Sequence, residues 1–158
     1  MKPQFLDNME IRPFVEDDRY EVATLVRQVL EEYGLLSDPG SLTSEIAKLS
    51  KRYEAGGAGF WVLLEDGKVV GTVGIRPLGE FTAEIEKLYL STRTRGKGFG
   101  RALLNFVEDQ AKKEGFRRLF ISCPKKFEKS KNFFQLAQYR LVGNAESQTE
   151  NLFEKEMF

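Results

Sequence analysis

The sequence has no histidine and only one cysteine among its 158 residues. Without histidine there is no Ser-His-Asp or Cys-His mechanism, no histidine general base and no metal site with histidine ligands. Cys123, the one cysteine, can form neither an internal disulfide nor a cysteine-based zinc site. The two shortages exclude the commonest hydrolase mechanisms and the commonest zinc sites.

An excess of charge is also absent, because 24 basic side chains balance 24 acidic ones. A protein whose main partner is a nucleic acid or an anionic membrane needs a strong positive excess. No stretch approaches the ~20 apolar residues of a membrane span, and the first residues are not apolar enough for a signal peptide. We therefore expect a cytoplasmic protein with neither a nucleic-acid nor a membrane partner.

The composition that remains is ordinary for a globular protein, with 41% hydrophobic and 30% charged residues. Because no repeat or linker divides the chain, we predict one domain over residues 1–158, with 1–8 as a flexible N-terminus. Strand and helix patterns alternate, which predicts an α/β fold with helices packed on a sheet. The Asp66-Gly67 pair predicts a type I′ turn. The predicted strands are 11–13, 60–64, 69–75, 82–91, 119–122, 140–142 and 152–158, and the predicted helices are 17–33, 42–53, 100–113 and 128–137.

The segment from Ser91 to Arg101, between a predicted strand and a predicted helix, combines glycines with basic residues. Glycines at 96, 98 and 100 let the backbone approach a ligand and adopt the φ values of a tight anion cradle. The amides and the dipole of the helix start also favour an anion. The segment therefore predicts a phosphate or pyrophosphate site, and the alternative is a surface turn with arginines for solubility. It fits neither the dinucleotide fingerprint nor the P-loop pattern.

The run Arg95-Gly96-Lys97-Gly98-Phe99-Gly100 resembles the [RQ]-x-x-G-x-[GA] signature of the GNAT superfamily of N-acetyltransferases. Ala83 to Leu90 is similar to the fourth strand of that family, and Arg101 to Leu104 to the start of the helix that follows. The resemblance covers most of the chain in the family's order. It implies a single-domain α/β (α+β) fold with a mixed, mostly antiparallel sheet of six to seven strands, flanked by about four helices and splayed between strands 4 and 5.

The same resemblance implies that acetyl-coenzyme A (acetyl-CoA) is the cofactor and that a primary amine attacks its thioester directly in a ternary complex. In the family, amides of the glycine loop bind the pyrophosphate and the fourth strand pairs with the pantetheine arm. We expect a small-molecule or peptide amine as acceptor, and a monomer or homodimer. The cofactor-binding residues implied are Leu88, Tyr89, Leu90, Arg95, Gly96, Lys97, Gly98, Phe99, Gly100 and Arg101.

Two glutamates are candidates for the general base, which is useful because an alkyl ammonium with a pKa near ~10.4 is mostly protonated at neutral pH. Glu84 matches the fourth-strand glutamate that serves as base in some family members, and Glu86 is the second candidate. On a regular strand both share a face with Leu88, whereas Lys87 and Tyr89 lie on the other face. The alternative is that both are rim carboxylates or partners of nearby arginines.

Phe134 stands where the resemblance places the tyrosine that protonates the departing thiolate in other family members. A thiol with a pKa around ~8.5 can leave partly unprotonated, so an acid can be dispensable. Otherwise Tyr139, Tyr89 or a water replaces it, or the chain is an acyl-CoA sensor without efficient turnover. We interpret Cys123 as a small buried filler rather than as a nucleophile.

The acceptor pocket is implied, by resemblance, to lie around residues 33–37, Arg76 and residues 144–151. The candidates for an apolar wall are Tyr33, Leu35 and Leu36, and Arg76 is a candidate partner for a substrate carboxylate. A nucleotide- or other phosphate-binding enzyme that uses the same loop remains the alternative to a transferase.

Overall fold

The computed structural model describes residues 8–36, 38–143 and 149–157. Outside the described residues lie 1–7 of the expected flexible terminus, Ser37 and residues 144–148 of the expected acceptor region, and Phe158. The strands are β1 Met9–Pro13, β2 Gly59–Glu65, β3 Lys68–Pro77, β4 Thr82–Leu90, β5 Arg118–Pro124, β6 Arg140–Gly143 and β7 Glu150–Glu156. The helices are α1 Arg19–Glu32, α2 Pro39–Ala47, α3 Leu49–Arg52, α4 Phe99–Lys113 and α5 Glu128–Leu136.

The seven strands form one sheet in the order β1-β2-β3-β4-β5-β7-β6. Every neighbouring pair is antiparallel except β4 and β5, which are parallel. The α/β class and the mixed, mostly antiparallel sheet are therefore confirmed. At the β2–β3 turn Asp66 and Gly67 have φ values of 52° and 81°, the two positive values that a type I′ turn requires.

The described residues form five helices rather than about four, because the helix predicted over 42–53 is divided. Its first part begins earlier, where the Asp38 carboxylate accepts a hydrogen bond from Gly40 N at 3.0 Å and caps α2. At Lys48 the backbone leaves helical geometry, with φ −104° and ψ 9°. The short α3 follows and places Arg52 beside the sheet.

Each face of the sheet is covered by helices and holds its own apolar cluster. On one face α4 contributes Leu103, Leu104 and Val107, all fully buried. On the other face α1 contributes Val22 and Val26 at helical spacing, and α2 and α3 complete the layer. Burying one such side chain contributes about 1.5–3 kcal/mol, which fixes both helical layers on the sheet.

Strands β4 and β5 pair only at their beginnings. The ladder joins Thr82 to Arg118 and ends at Ile85 and Ile121, although β4 continues to Leu90 and β5 to Pro124. The strands therefore diverge at their carboxyl ends, which confirms the predicted splay between strands 4 and 5. In open α/β sheets a ligand site lies at such a carboxyl-end crevice.

A β-bulge in β4 overturns the expected alternation of its side chains. Lys87 has φ 53°, and the register with β3 shifts so that Thr72 opposes Tyr89 whereas Gly74 opposes Glu86. The Thr72 hydroxyl donates to the Lys87 carbonyl at 2.7 Å and holds the bulge. Because the bulge adds one residue to β4, the side chains after it point to the faces opposite to those that a regular strand would give. Lys87 and Tyr89 thus share the helix α1–α3 face with Glu86, while Leu88 packs toward α4.

Candidate functional site

The loop between β4 and α4 brings backbone amides together at a helix N-terminus. Gly96 and Gly98 have φ values of 79° and 86°, a left-handed conformation that residues with side chains rarely adopt. Gly98 caps α4, and the Ala102 amide donates to its carbonyl at 3.0 Å. The amides before Ala102 in this first turn therefore have no acceptor within the helix. Such a turn suits an anionic ligand.

Gly100, the third glycine of the loop, is explained by close packing rather than by its φ value. A Cβ atom on Gly100 would lie 3.2 Å from Leu90 Cδ1 and 3.6 Å from the Phe133 ring. Glycine here lets the first turn of α4 pack closely against the end of β4. The helix N-terminus is thereby placed directly beside the diverging strand.

The Arg95 side chain anchors the loop to its surroundings. Its Nη1 contacts Glu32 Oε2 at 2.6 Å, and its Nη2 donates to the Leu90 carbonyl at 3.0 Å. The guanidinium also lies over the Tyr33 ring, 5.8 Å from its centre. The hydrogen bond from Arg95 holds the pKa of Glu32 below its ordinary value. The exposed basic side chains of the predicted loop signature and helix start are instead Lys97 and Arg101.

Two buried side chains shape the loop from inside. Phe99 is 1% exposed and belongs to the core on the α4 face, so only its backbone is available to a ligand. Thr94 is fully buried, and its hydroxyl donates to the Ser91 carbonyl at 2.9 Å. Sequence reasoning missed Thr94, because a polar residue within a basic loop is expected to be exposed to solvent.

Among the residues that the structure describes, one edge of β4 has no strand partner beyond Ile85. Strand β3 occupies the opposite edge as far as Leu90, whereas the ladder to β5 has already ended. Leu88, Tyr89 and Leu90 therefore lie on a stretch of extended backbone beside the gap. An extended ligand can add to such an edge through main-chain hydrogen bonds.

Aromatic side chains border this gap. The Phe127 ring lies 4.5 Å from Tyr33 and 6.5 Å from Tyr89, measured between ring centres. Burial raises the pKa of Tyr89 to about 12, so its hydroxyl stays protonated near neutral pH. Burial also raises the pKa of Cys123 to about 11, and its thiol points to the Pro124 carbonyl at 3.7 Å. The raised pKa of Cys123 agrees with its interpretation as a small buried filler.

Glu84 and Glu86 have different environments on the same face of β4. Arg52 donates to Glu86 at 3.2 and 2.7 Å, Tyr53 donates at 2.8 Å, and Arg76 contacts it at 3.4 Å. Burial acts to raise the pKa of Glu86, but the hydrogen bonds from Arg52 and Tyr53 outweigh it, so the pKa lies below its ordinary value. Glu86 is thus an ionised carboxylate with its oxygens already engaged.

Half-buried Glu84 is shifted in the opposite direction. Burial raises its pKa, and the adjacent Glu86 raises it further by hydrogen bonding and by its charge. Arg76 and Arg52 offset part of this effect. Of the two candidates, Glu84 therefore has the carboxyl group that exchanges a proton closer to neutral pH, which is what a general base needs.

Phe134 is a core residue. It is 4% exposed, and its ring lies 5.1 Å from Phe153 and 5.9 Å from Tyr139. The Tyr139 hydroxyl donates to Glu108 Oε2 at 2.7 Å inside the core, where Lys155 also contacts Glu108 at 3.2 Å. Tyr139 is therefore committed to a buried network, and Tyr89 is the tyrosine that borders the gap.

A cleft of about 390 Å³ opens on the face that carries the glutamates. It contains the predicted Arg76, whereas Tyr33 lies elsewhere, against Phe127 and Arg95. Sequence reasoning missed Lys48, Lys51 and Arg52, although their spacing on the predicted helix places them on one side. The residues that line this cleft are Glu45, Lys48, Lys51, Arg52 and Arg76.

A larger depression, of about 850 Å³, lies around Phe81, Phe116 and Arg117. It also includes Thr82 and Arg118, the residues at which the β4–β5 ladder begins. It therefore lies at the amino ends of these strands, whereas the glycine loop follows the carboxyl end of β4. Within the described ranges, no group of three or more acidic or cysteine side chains could hold a metal ion, and no helix could cross a membrane.

Comparisons with known proteins agree with this geometry. The acetyltransferase (GNAT) family model matches residues 24–137, more than half of the chain. The chain belongs to the GNAT acetyltransferase family. The uncharacterized N-acetyltransferase YjgM of Escherichia coli K12 is 33% identical over 116 residues, which are 70% of each protein. The match to the GNAT family model and the similarity to this relative show that the chain is an acyltransferase.

Solved GNAT-type structures share the fold. An acetyltransferase from Streptococcus agalactiae 2603 superposes with a TM-score of 0.85 at 20% identity, covering 96% of this chain and 99% of its own. PaiA N-acetyltransferase from Thermoplasma acidophilum, solved in complex with coenzyme A, superposes with a TM-score of 0.76 at 19% identity, covering 94% and 98%. At these identities the likeness concerns the fold.

Proposed function

We propose that the chain is an acetyl-CoA-dependent N-acetyltransferase in which a primary amine attacks the thioester directly in a ternary complex. One observation carries this proposal. The glycine loop at the start of α4, the open edge of β4 and the half-buried Glu84 follow one another along one strand and its turn. The coenzyme A in the structure of PaiA N-acetyltransferase supports the same class of cofactor here.

The glycine loop and the open strand edge fit the two ends of the cofactor. The left-handed Gly96 and Gly98 turn amides toward an anion, which suits a pyrophosphate, and Lys97 and Arg101 add positive charge. The backbone of Leu88 to Leu90 suits an amide-containing arm, because that stretch lies beyond the β4–β5 ladder. The bound cofactor supplies a thioester carbonyl as the electrophile.

Glu84 is proposed as the general base, because Glu86 is held as an ion pair. Glu84 accepts a proton from the ammonium, directly or through a water, and the neutral amine becomes the nucleophile. Arg52 and Tyr53 fix Glu86, whose negative charge favours proton uptake by Glu84. Glu86 is then a positioning residue for the base.

Tyr89 is proposed as the proton donor to the departing thiolate where one is needed. It borders the gap and keeps its proton at neutral pH, whereas Tyr139 is bonded to Glu108. The buried phenylalanine at 134 favours a second candidate function, an acyl-CoA sensor with little turnover. The identity of the amine, the cytoplasmic location and the monomeric or homodimeric state stay predictions.

The test combines binding and turnover. Calorimetric titration with acetyl-CoA, NAD and ATP identifies the cofactor, and release of coenzyme A thiol reports turnover with a panel of primary amines. We expect the protein to bind acetyl-CoA but neither NAD nor ATP, and to turn over a subset of the amines. Tight acetyl-CoA binding with no turnover over a broad panel would favour the sensor, and preference for NAD or ATP would refute both.

A further inference from the structure

The cleft defined by Lys48, Lys51, Arg52 and Arg76, here called the basic cleft, carries a local surplus of positive charge in a chain with no net charge. Glu45 also lines it, but Glu45 Oε1 contacts Lys87 Nζ at 2.7 Å. The one carboxylate of the lining is therefore already neutralised from the sheet side. The four cations of the cleft have to be balanced by other groups.

Glu86 balances the two arginines only in part. Arg52 Nη2 and Arg76 Nη1 contact the same oxygen, Glu86 Oε2, at 2.7 and 3.4 Å. Two guanidinium groups thus share one carboxylate. Within residues 8–36, 38–143 and 149–157, no other carboxylate lies within ion-pair distance of either arginine or of Lys48 and Lys51.

The shared contact also organises the arginines. Because both reach the same oxygen, the two guanidinium groups are held side by side around a carboxylate. Arg52 and Arg76 are about 38% and 35% exposed, so each keeps donors that reach the cleft. A guanidinium fork matches the planar, two-oxygen geometry of a carboxylate.

The basic cleft lies next to the proposed base. Arg76 on β3 is the direct register partner of Glu84 on β4, and paired residues of antiparallel strands lie about 4.5–5.5 Å apart. Pockets for small ligands usually measure about 300–1,000 Å³, and this cleft measures about 390 Å³. Arg76 thus connects the lining of the cleft to the strand position of Glu84.

We propose that the acceptor is an amine that also carries a carboxylate, and that the basic cleft binds this carboxylate while Glu84 faces the amine. The inference rests on the proposed function and adds the substrate class. Arg76 orients the acceptor beside the base, and Lys48 and Lys51 attract its carboxylate. An amine that has no carboxylate lacks these contacts and binds without orientation.

The test uses acceptor pairs that differ only in the anionic group. Each ω-amino acid from 3-aminopropanoate to 5-aminopentanoate is compared with its amide, and amidated Ser-Glu is compared with amidated Ser-Gln to separate free amino acids from peptides. We expect kcat/KM to be at least about tenfold higher for the carboxylate in one of the two sets, the ratio that ~1.4 kcal/mol gives. Equal kcat/KM within every pair would overturn the inference and leave the transferase standing.

Variants distinguish the basic cleft from a general charge effect. The double substitution Lys48→Ala with Lys51→Ala should raise KM for the carboxylate acceptor at least about threefold, as two weak ion pairs imply. KM for the matched amide and the affinity for acetyl-CoA should stay unchanged. Lys68→Ala is the control, because Lys68 is an exposed lysine at the far end of β3. A threefold rise in KM for both acceptors, or the same effect of Lys68→Ala, would contradict the proposal.

A binding measurement decides the inference even if no amine is turned over. Amide chemical shifts are followed while N-acetylglycine or neutral N-acetylglycinamide is added to the protein saturated with coenzyme A. We expect the carboxylate probe alone to perturb Lys48, Lys51, Arg52 and Arg76. The same response to both probes, or no response to either, would reject an anion-binding cleft, whereas a selective response without turnover would keep the anion-binding cleft and refute its role in binding an acceptor.

Discussion

Substituting Gly98 by alanine tests the physical basis of the cofactor site. Gly98 has φ 86°, and a residue with a Cβ atom loses about 1–2 kcal/mol in the left-handed region. The cofactor-bound loop has to keep this left-handed conformation, whereas the loop of the free alanine variant can relax to another one. The bound state alone therefore carries the penalty. Affinity for acetyl-CoA should then fall about fivefold to thirtyfold. Gly98→Val should abolish binding, because a β-branched residue tolerates this region least.

Gly67→Ala is the matched control for this experiment. Gly67 has φ 81°, and nothing lies within 4 Å of a Cβ atom placed there. It therefore carries the same backbone penalty, but in the β2–β3 turn. Gly67→Ala should unfold at lower denaturant concentration, whereas Gly98→Ala, whose free loop relaxes, should lose less stability, and only Gly98→Ala should weaken binding in calorimetric titration. Unchanged affinity in a folded Gly98→Ala protein, or equal losses in both variants, would refute the reasoning.

Three further predictions concern the base, the acid and the core. Glu84→Gln should lower kcat/KM about 10²–10⁴-fold and remove the acidic limb of the pH–rate profile; a wild-type profile would exclude Glu84. Glu86→Gln should move that limb to lower pH, because the charge and hydrogen bond of Glu86 raise the pKa of Glu84; a shift to higher pH would contradict the pairing. Tyr139→Phe should cost about 1–3 kcal/mol of unfolding free energy, since its hydroxyl donates to buried Glu108, yet leave turnover unchanged. Loss of turnover without loss of stability would instead identify Tyr139 as the acid.

The pH dependence of stability can be tested at Asp18, the residue that precedes α1. Asp18 accepts hydrogen bonds from Arg12 at 2.8 and 2.9 Å, and these hydrogen bonds hold its pKa below the ordinary value. A group whose folded pKa is lowered stabilises the fold above its unfolded pKa, and this contribution is lost as pH falls through the folded pKa. Acid unfolding of an Arg12→Ala protein should therefore begin at higher pH than that of the wild type. Coincident transitions would contradict this role of the pair.

Several features of the site were available from the sequence because they depend on local rules. Three glycines at 96, 98 and 100 after a strand predict an anion-binding helix start, and two of them have the positive φ that this geometry requires. The β2–β3 turn followed from Asp66-Gly67 in the same way. Glu84 was a candidate for the base because the resemblance to the GNAT family matches it to a glutamate on the fourth strand.

The remaining features were not predictable from local rules, and two of them depend on contacts between distant segments. The bulge at Lys87 is held by Thr72 on the neighbouring strand, so regular alternation placed Lys87 and Tyr89 on the wrong face. The break at Lys48 divides a helix whose apolar pattern continues across it. The partners of Glu86 come from α3 and β3, and no spacing along the chain links them.

By itself the sequence determined the elements, their α/β order and the glycine turn before α4, because period, turn residues and glycine φ are properties of neighbouring residues. It also determined, through its lack of histidine, that carboxylates are left as candidates for the base. Only the tertiary structure decided which glutamate is free to take a proton. The pKa values of Glu84 and Glu86 move apart because of burial and of arginines that folding brings from elsewhere in the chain.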